Sequence, residues 1–142
     1  MDVTISGIEL SIDETSIAAP TSAIRRQVAE YKRGERREFD LEPSIPETLT
    51  GAVMEAMVEI PFGETRTYGQ IADTVASSPV AVGQACGRNP VPVVVPCHRV
   101  VGADSIGGFS AGGDRGVELK RALLEHERAV RGTGQARLDD FE

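Results

Sequence analysis

Apolar and polar residues alternate along residues 3–12, and this pattern predicts a β-strand with one buried face. A helical stretch is predicted next, with Thr21 or Ser22 as its N-cap and Tyr31 near its end. Gly34 is the predicted stop, because glycine readily adopts the left-handed conformation that ends helices. The N-terminal third of the chain therefore indicates a small α/β element.

The pattern changes to that of an amphipathic helix over residues 46–60. Pro61 ends it, because proline disfavours helical conformation in the residue before it. Residues 36–41 are compatible with a further strand, and residues 62–64 are predicted as a turn. The residues expected along the apolar face of the helix are Leu49, Val53, Met54, Met57 and Val58.

Two short helices joined by a tight connection are predicted next. The first covers residues 68–75, and residues 76–78 connect it to the second. Ser78 caps the second helix, with Pro79 at its first position. This is the order of a helix-turn-helix, and the small residues of the second helix would permit close approach to a DNA groove. Close packing against another helix is the alternative, since such patterns alone are weak evidence.

A β-branched run at residues 93–95, bounded by prolines, predicts a buried extended segment. Pro96 ends it, so Cys97 should emerge exposed at the end of the element, beside His98. A thiol attacks as the thiolate, and a neighbouring imidazole is a usual means of removing its proton. Because consecutive side chains rarely point the same way, we expect His98 to act through a water or a bent backbone. A buried, inert cysteine beside a surface histidine is the alternative.

Length limits the number of domains, and charge bears on whether the chain binds nucleic acid. A chain of 142 residues makes one domain, or one domain with a small subdomain. The formal net charge of −7 is unusual for a protein that binds nucleic acid. The charge is unevenly distributed, because residues 1–60 carry 12 acidic and six basic residues whereas residues 61–110 carry three of each. The middle of the chain is therefore neutral.

Only Lys32 and Lys120 among the 15 basic residues are lysines. An acidic chain with so few lysines and only 4% aromatic residues leads to the hypothesis of adaptation to high salt. Salt would screen the attraction to phosphates, so binding to DNA would depend on shape, backbone donors and base burial. The basic residues between positions 25 and 37 alternate with glutamates, which favours a solvated face over a nucleic-acid patch.

Cys86 and Cys97 lack the paired spacing of a structural zinc site, and free thiols suit a reducing, cytoplasmic compartment. The first residues have neither the basic flank nor the apolar length of a signal peptide. No apolar run approaches the length of a membrane span, so no membrane partner is expected. The sequence contains neither metal nor nucleotide motifs, and we expect no cofactor. Residues 132–142 carry no readable chemistry and are expected to be a mobile tail.

Residues 89–100 read Asn-Pro-Val-Pro-Val-Val-Val-Pro-Cys-His-Arg-Val. This block closely resembles the active-site signature of the 6-O-alkylguanine-DNA alkyltransferases, also called methylated-DNA–protein-cysteine methyltransferases. The resemblance is strong over residues 61–101, moderate over residues 46–60 and 119–129, and weak before residue 31.

The resemblance implies an α/β fold of the α+β type. Residues 1–45 would form a shortened N-terminal α/β subdomain, in which some of the family's strands are missing or replaced. Residues 46–131 would form the DNA-binding and alkyl-acceptor domain, which is mostly helical and winged-helix-like and contains the helix-turn-helix.

The activity implied by the resemblance is single-use DNA repair. The helix-turn-helix would enter the minor groove of double-stranded DNA, and an alkylated guanine would rotate out of the base stack. The cysteine would then take the alkyl group from the exocyclic oxygen of 6-O-methylguanine, and by extension of 4-O-methylthymine. A thioether has no good leaving group, so each protein molecule, a monomer, would act once.

The resemblance also assigns roles to individual residues. Cys97 would be the acceptor thiolate, His98 the water-relayed base, and Glu127 the carboxylate that orients and charges the histidine. Asn89 would tie the recognition helix to the active-site segment, and Tyr68 would crowd the target phosphate and donate a proton to the departing guanine. The implied substrate-binding residues are Tyr68, Cys86, Val100, Gly107, Gly108, Phe109 and Ser110. The implied DNA-binding residues are Thr67, Tyr68, Val80, Ala81, Gly83 and Arg88.

Two features depart from the family pattern. Val80 stands where many relatives place an arginine that fills the gap left by the extruded base, so an apolar side chain would have to fill it. Phe109 stands where tyrosine is common, and residues 111–116 look lengthened, which leaves the range of accepted alkyl groups open. Arg99 is expected to be structural.

Two other functions compete with alkyl transfer. A non-enzymatic lesion sensor of the alkyltransferase-like kind would bind damaged DNA, but such proteins typically lack the cysteine, and Cys97 argues against this reading. A cysteine hydrolase would need turnover and an oxyanion site, and the two histidines of the chain give it little support.

Overall fold

A computed structural model of the protein describes residues 1–133. The elements in chain order are β1 (Asp2–Ile5), β2 (Ile8–Ser11), α1 (Thr21–Lys32), α2 (Leu49–Val58), β3 (Arg66–Thr67), α3 (Tyr68–Val75), α4 (Pro79–Gly87), β4 (Val100–Val101) and α5 (Gly116–Thr133). Single 3-10 turns occur at Glu14–Ser16, Cys97–Arg99 and Gly113–Arg115. α5 includes the first two residues of the expected mobile tail, and the rest of that tail lies outside the described residues.

The first elements form a hairpin, so the single strand predicted over residues 3–12 is wrong. β1 pairs antiparallel with β2, and Val3 lies opposite Leu10. Between the strands Ser6 and Gly7 have φ angles of 54° and 77°, and positive φ at both central residues is typical of a two-residue hairpin turn. The apolar alternation is confirmed, because every second residue of β2 is buried.

α1 follows Pro20, which occupies the N-cap position, so neither of the two predicted residues caps the helix. Gly34 has a φ of 76° just after the helix end, as the sequence predicts. The strand predicted over residues 36–41 is wrong. The Gln27 side chain accepts a hydrogen bond from Asp40 N–H at 2.8 Å and donates to the Asp40 carbonyl at 3.2 Å. The Gln27 side chain therefore occupies the N–H and carbonyl groups of Asp40, which would otherwise pair with a neighbouring strand.

α2 is shorter than the helix predicted over residues 46–60, because Thr48 caps its first turn. Leu49 and Val58 were expected on its apolar face, but they are 37% and 48% exposed. Both lie at helix ends, where the neighbouring elements no longer cover them. The buried residues of α2 are Gly51, Val53, Met54 and Met57.

α3 and α4 form the predicted helix-turn-helix. Thr67 and Gln70 close a reciprocal capping box at the start of α3. Ala76 reverses the chain with a φ of 55°. Ser78 caps α4 through its side chain, with Pro79 in the first turn, as predicted. β3 leads into α3 and pairs in parallel with β4, which places the start of α3 beside the segment that contains Cys97.

Residues 93–95 are buried as predicted, but they form a turn and not an extended strand. Val95 N–H bonds to the Val91 carbonyl at 2.9 Å, and Val93 has a φ of 76°. The flanking prolines lack the N–H groups that a strand ladder needs. A β-branched residue at positive φ costs about 1–3 kcal/mol, and the surrounding core must hold it there.

The buried apolar side chains form one continuous cluster. It includes residues of β2, α1, α2, α3, α4, the turn before Cys97 and α5. The core therefore joins the N-terminal hairpin and helix to the helix-turn-helix, and the predicted division after residue 45 stays a prediction.

Candidate active site

Cys97 opens a 3-10 turn and lies against a cavity of about 600 Å³. This volume falls within the roughly 300–1,000 Å³ that is typical of small-molecule sites. The Cys97 side chain is 5% exposed, so the expected exposed thiol at an element end is wrong. The thiol instead lies at the wall of this cavity. The cavity is lined by Ser11, Tyr68, Gly83, Cys86, Gly87, Asn89, Pro92, Cys97, Gly108, Phe109, Ser110 and Ala111.

The Cys97 thiol is protonated at neutral pH. Burial raises its pKa to about 11, although a hydrogen bond from the Asn89 side chain and the charge of Lys120 both act to lower that pKa. A protonated thiol needs a base at the moment of attack. His98 is suited to be that base, because burial lowers its pKa and leaves the imidazole neutral.

His98 pairs with Glu127 of α5, and both side chains are buried. His98 Nε2 lies 2.6 Å from Glu127 Oε2. Burial alone would raise the pKa of the Glu127 carboxyl, but the hydrogen bonds and charges of His98 and Arg99 outweigh burial and hold that pKa well below its usual value. An ionised carboxylate only accepts hydrogen bonds, so Nε2 carries the imidazole proton.

The other imidazole nitrogen, Nδ1, then carries no proton and has a free lone pair. It is buried and has no hydrogen-bond partner among residues 1–133. A buried acceptor without a partner is uncommon, and a catalytic role is one of the explanations for it. The geometry thus pairs Nε2 with the carboxylate and leaves Nδ1 without a partner in this part of the chain.

Glu127 receives hydrogen bonds from three further residues. Arg99 donates through Nε to Oε1 at 2.9 Å and through Nη2 to Oε2 at 3.0 Å. Gly63 N–H donates to Oε1 at 3.2 Å, and the Tyr31 phenol donates to Oε2 at 2.6 Å. Arg99 also donates to the Ile60 carbonyl at 2.7 Å. Arg99, which is expected to be structural, therefore fixes the Glu127 carboxylate in place.

Asn89 follows α4 and bridges it to the turn before Cys97. Its Nδ2 donates to the Val95 carbonyl at 2.9 Å, and its Oδ1 accepts from Val91 N–H at 3.1 Å. The side chain thus closes the turn from inside, and it also acts to lower the pKa of the Cys97 thiol. The role that the resemblance implies for Asn89, a tie between the recognition helix and the active-site segment, stays a prediction.

Tyr68 is the first residue of α3, and its half-buried ring lines the cavity. The loop at Gly107 passes directly over this ring. A Cβ atom at Gly107 would lie 2.8 Å from the Tyr68 phenol oxygen, and its φ is 79°. At Gly116 a Cβ atom would overlap the Phe109 carbonyl oxygen. Two glycines therefore let the cavity loop pack against Tyr68 and the start of α5.

Lys120 is a buried cation that the sequence did not single out. Its Nζ donates to the Val100 carbonyl at 2.6 Å and to the Gly108 carbonyl at 3.1 Å, and it lies 5.6 Å from the centroid of the Tyr68 ring. Burial lowers the pKa of its ammonium group, whereas negative charge on Cys97 or Cys86 would raise it. The sequence feature that could have pointed to its burial is its position on α5 directly after the apolar Leu119.

The structure brings most of the expected substrate-binding residues to the cavity wall. Gly107 packs behind Tyr68, and Val100 is fully buried away from the lining. Ser11 of β2 lines the cavity although the sequence did not indicate it. The expected substrate-binding residues that line the cavity are Tyr68, Cys86, Gly108, Phe109 and Ser110.

The expected DNA-binding residues lie on the helix-turn-helix. Val80 is 72% exposed at the start of α4, and Arg88 is exposed at its end. Thr67 caps α3, Ala81 is half-buried in the first turn of α4, and Gly83 faces the cavity near Tyr68. Their roles stay predictions.

Two further properties concern the described residues as a set. None of the helices within residues 1–133 is long and apolar enough to cross a membrane. In the same part of the chain, no group of three or more His, Cys, Asp and Glu side chains could hold a metal ion.

The fold and the site together define a class of protein. It is a small α+β protein with a helical DNA-binding domain, in which a buried cysteine, histidine and glutamate lie beside a cavity. The profile of the family described as 6-O-methylguanine DNA methyltransferase, DNA binding domain, matches residues 48–129. A methylated-DNA–protein-cysteine methyltransferase of Archaeoglobus fulgidus is 42% identical over 115 residues, which cover 79% of this chain and 78% of that protein. The chain belongs to the 6-O-methylguanine DNA methyltransferase family.

Other relatives support the same family. A methylated-DNA–protein-cysteine methyltransferase of Saccharolobus solfataricus is 50% identical over 76 residues, which are 54% of this chain and 48% of that protein. The chain thus spans about half the length of such curated relatives. The crystal structure of the Mycobacterium tuberculosis O6-methylguanine methyltransferase has a TM-score of 0.69 at 40% identity, covering 83% of this chain and 68% of that one. The predicted family and fold class are confirmed.

The same Mycobacterium tuberculosis protein has also been solved in complex with DNA. That structure has a TM-score of 0.69 and 42% identity, and covers 77% of this chain and 66% of that one.

Proposed function

We propose that this protein repairs DNA by transferring the alkyl group of 6-O-methylguanine irreversibly to Cys97, once per molecule. The observation that carries the proposal is the Cys97 thiol at the wall of a base-sized cavity, with the His98–Glu127 pair behind it and the helix-turn-helix beside it. The names of the relatives, and the DNA complex of the Mycobacterium tuberculosis protein, support it.

The residues of the cavity have distinct tasks in this reaction. An everted guanine would bring its methyl carbon to the Cys97 sulfur, while the thiol proton passes through a water to His98 Nδ1. Glu127 stabilises the imidazolium that forms. The sulfur–carbon bond forms as the bond from carbon to the guanine oxygen breaks, and Tyr68 gives its proton to the departing guanine. The thioether cannot leave again, so the protein is consumed.

Double-stranded DNA is the proposed partner, bound through the minor groove by α3 and α4. Residues 61–110 carry no net charge, so the excess of acidic residues lies outside the segment that would face the phosphates. Val80, exposed at the tip of α4, would occupy the gap left by the extruded base. We further propose that residues 46–131 form the acceptor domain, that the protein acts as a cytoplasmic monomer without a cofactor, and that 4-O-methylthymine is a second substrate.

Intact mass measurement tests the proposal. The protein is incubated with a duplex that contains one 6-O-methylguanine, and peptide mapping then locates the added mass. We expect one methyl group on Cys97, none on Cys86, and restored guanine in the duplex. Cys97→Ala should still bind the duplex but gain no mass. Lesion binding without mass gain in the unsubstituted protein would indicate a sensor, and repeated turnover of unmodified protein would indicate a hydrolase.

A further inference from the structure

The Tyr31 phenol reaches the proton relay from α1, which precedes the helix-turn-helix part of the chain. Its oxygen donates to Glu127 Oε2 at 2.6 Å. The same carboxylate oxygen lies 2.6 Å from His98 Nε2. Tyr31, His98 and Glu127 are all buried, with 0–1% of each side chain exposed. Arg99 Nη2 donates to this oxygen as well, at 3.0 Å, so three donors converge on one buried oxygen atom and the two closest are those of Tyr31 and His98.

We infer that Tyr31 is a positioning residue of the relay, which orients the Glu127 carboxylate and limits how strongly that carboxylate stabilises protonated His98. The inference deepens the proposed function and rests on it, because His98 serves as the base of alkyl transfer only if that reaction occurs. It also gives α1 a part in positioning the groups of the relay.

The Tyr31 ring is held so that its hydroxyl cannot turn away. It packs against Phe39 at a centroid distance of 5.6 Å and against the edge of Phe62 at 6.1 Å. His126 contacts the same ring at 5.1 Å, and its Nε2 lies 2.8 Å from the Tyr31 carbonyl. Burial, and then the adjacent Glu127 carboxylate, raise the pKa of the phenol well above its usual range. The group therefore stays a hydrogen-bond donor.

A carboxylate oxygen that accepts from a phenol has less electron density to offer to a second donor. The groups that act on His98 are Glu127, which favours its protonation, and Arg99 and Lys120, which oppose it together with burial. The Tyr31 hydroxyl therefore weakens the stabilisation that Glu127 gives to protonated His98. Burial already favours neutral His98, and the Tyr31 bond to Glu127 adds to that effect. A neutral imidazole is the form that can accept the thiol proton.

Tyr31→Phe tests this role, because it removes the hydroxyl and keeps the ring. The His98 imidazole is titrated by NMR of its nitrogens, which reports the pKa and the tautomer without any DNA. We expect the His98 pKa to rise by about one unit, since a hydrogen bond to a charged group is being withdrawn. The acid limb of the pH–rate profile for methyl transfer should move to higher pH by the same amount.

Phe39→Leu is the matched control. It disturbs the packing of the same ring but removes no hydrogen bond to Glu127, so it should lower stability and leave the His98 titration unchanged. An equal shift of the His98 pKa in Phe39→Leu, or no shift in Tyr31→Phe, would overturn the inference.

Site-specific fluorotyrosine at position 31 provides a second variant that keeps the ring and the hydroxyl. The more acidic phenol is a stronger donor, so the His98 pKa and the acid limb should both move to lower pH, opposite to Tyr31→Phe. An unchanged or raised His98 pKa would contradict the inference even if Tyr31→Phe failed to fold. If the unsubstituted protein transfers no methyl group, the proposed function fails, whereas the NMR titration still decides the effect of Tyr31 on His98.

Discussion

Arg99 holds Glu127 through two nitrogens, with Nε 2.9 Å from Oε1 and Nη2 3.0 Å from Oε2. Arg99 is 6% exposed and Glu127 1% exposed, so the two charges compensate each other away from water. Removing one member of such a pair leaves a buried charge without a partner. The same carboxylate also orients His98, and therefore the stability of the fold and the proposed chemistry depend on one side chain.

Glu127→Gln should destabilise the protein strongly, because the buried Arg99 guanidinium loses its counter-charge. We expect a loss of about 3–5 kcal/mol in the free energy of unfolding, measured by denaturant titration. Glu125→Gln is the matched control, since it removes an equal charge from an exposed position of the same helix and should change stability by less than about 0.5 kcal/mol. Equal effects of the two substitutions would contradict this account of Glu127.

Stability should fall in two stages as the pH is lowered from neutral. Burial lowers the folded pKa of His98 below its ordinary 6.5, so the unfolded chain takes up a proton there first and stability begins to fall near that pH. Despite burial, the bonds to Glu127 hold its folded pKa below the ordinary 4.5, so its contribution is present above that pH and is lost below it. Denaturant unfolding across this pH range measures both stages. The Glu127→Gln variant should lose less stability in the second stage, because it has no carboxylate at position 127 to protonate.

Lys120→Met should loosen the cavity loop and make the Cys97 thiol less reactive. The Val100 and Gly108 carbonyls lose their donor, which should cost roughly 1–3 kcal/mol of stability. The pKa of Cys97 should rise further, because the Lys120 charge lowers it in the intact protein. Alkylation of Cys97 by iodoacetamide as a function of pH measures this. Lys32→Met, at the exposed end of α1, should leave the profile unchanged, and a similar shift in both variants would refute the assignment.

Val80→Arg should tighten binding to a duplex with an extrudable lesion. A guanidinium at the tip of α4 can fill the gap in the base stack and contact phosphates better than an exposed valine. We expect about a tenfold gain in affinity, or about 1.4 kcal/mol, measured on lesion-containing and undamaged duplexes. Val58→Arg adds the same charge at another exposed position. A gain of equal size from Val58→Arg would show that charge alone is responsible.

The acidic, lysine-poor composition predicts a dependence of folding on salt. If the chain is adapted to high salt, the self-repulsion of its net charge of −7 is screened only at high ionic strength. The free energy of unfolding should therefore rise steadily with potassium chloride concentration. Full stability in dilute buffer, with no further gain on adding salt, would count against the hypothesis.

The sequence by itself determined the elements whose ends depend on nearby residues. The bounds of α3, the connection after it and the Ser78 cap of α4 all follow from side chains within a few positions, because capping and turn formation are local interactions. The alternation in β2 likewise predicted its buried face. The block around Cys97 and His98 identified the family, since its residue types are adjacent in the chain.

Only the tertiary structure decided what depends on residues far apart in sequence. Residues 93–95 have the composition of a strand, yet the core and the flanking prolines hold them in a turn with Val93 at positive φ. Tyr31 and Glu127 are 96 positions apart, and no local pattern reports that their helices meet at His98. Burial then sets the pKa values of the thiol and the imidazole, because desolvation is a property of the packed chain and not of any segment of it.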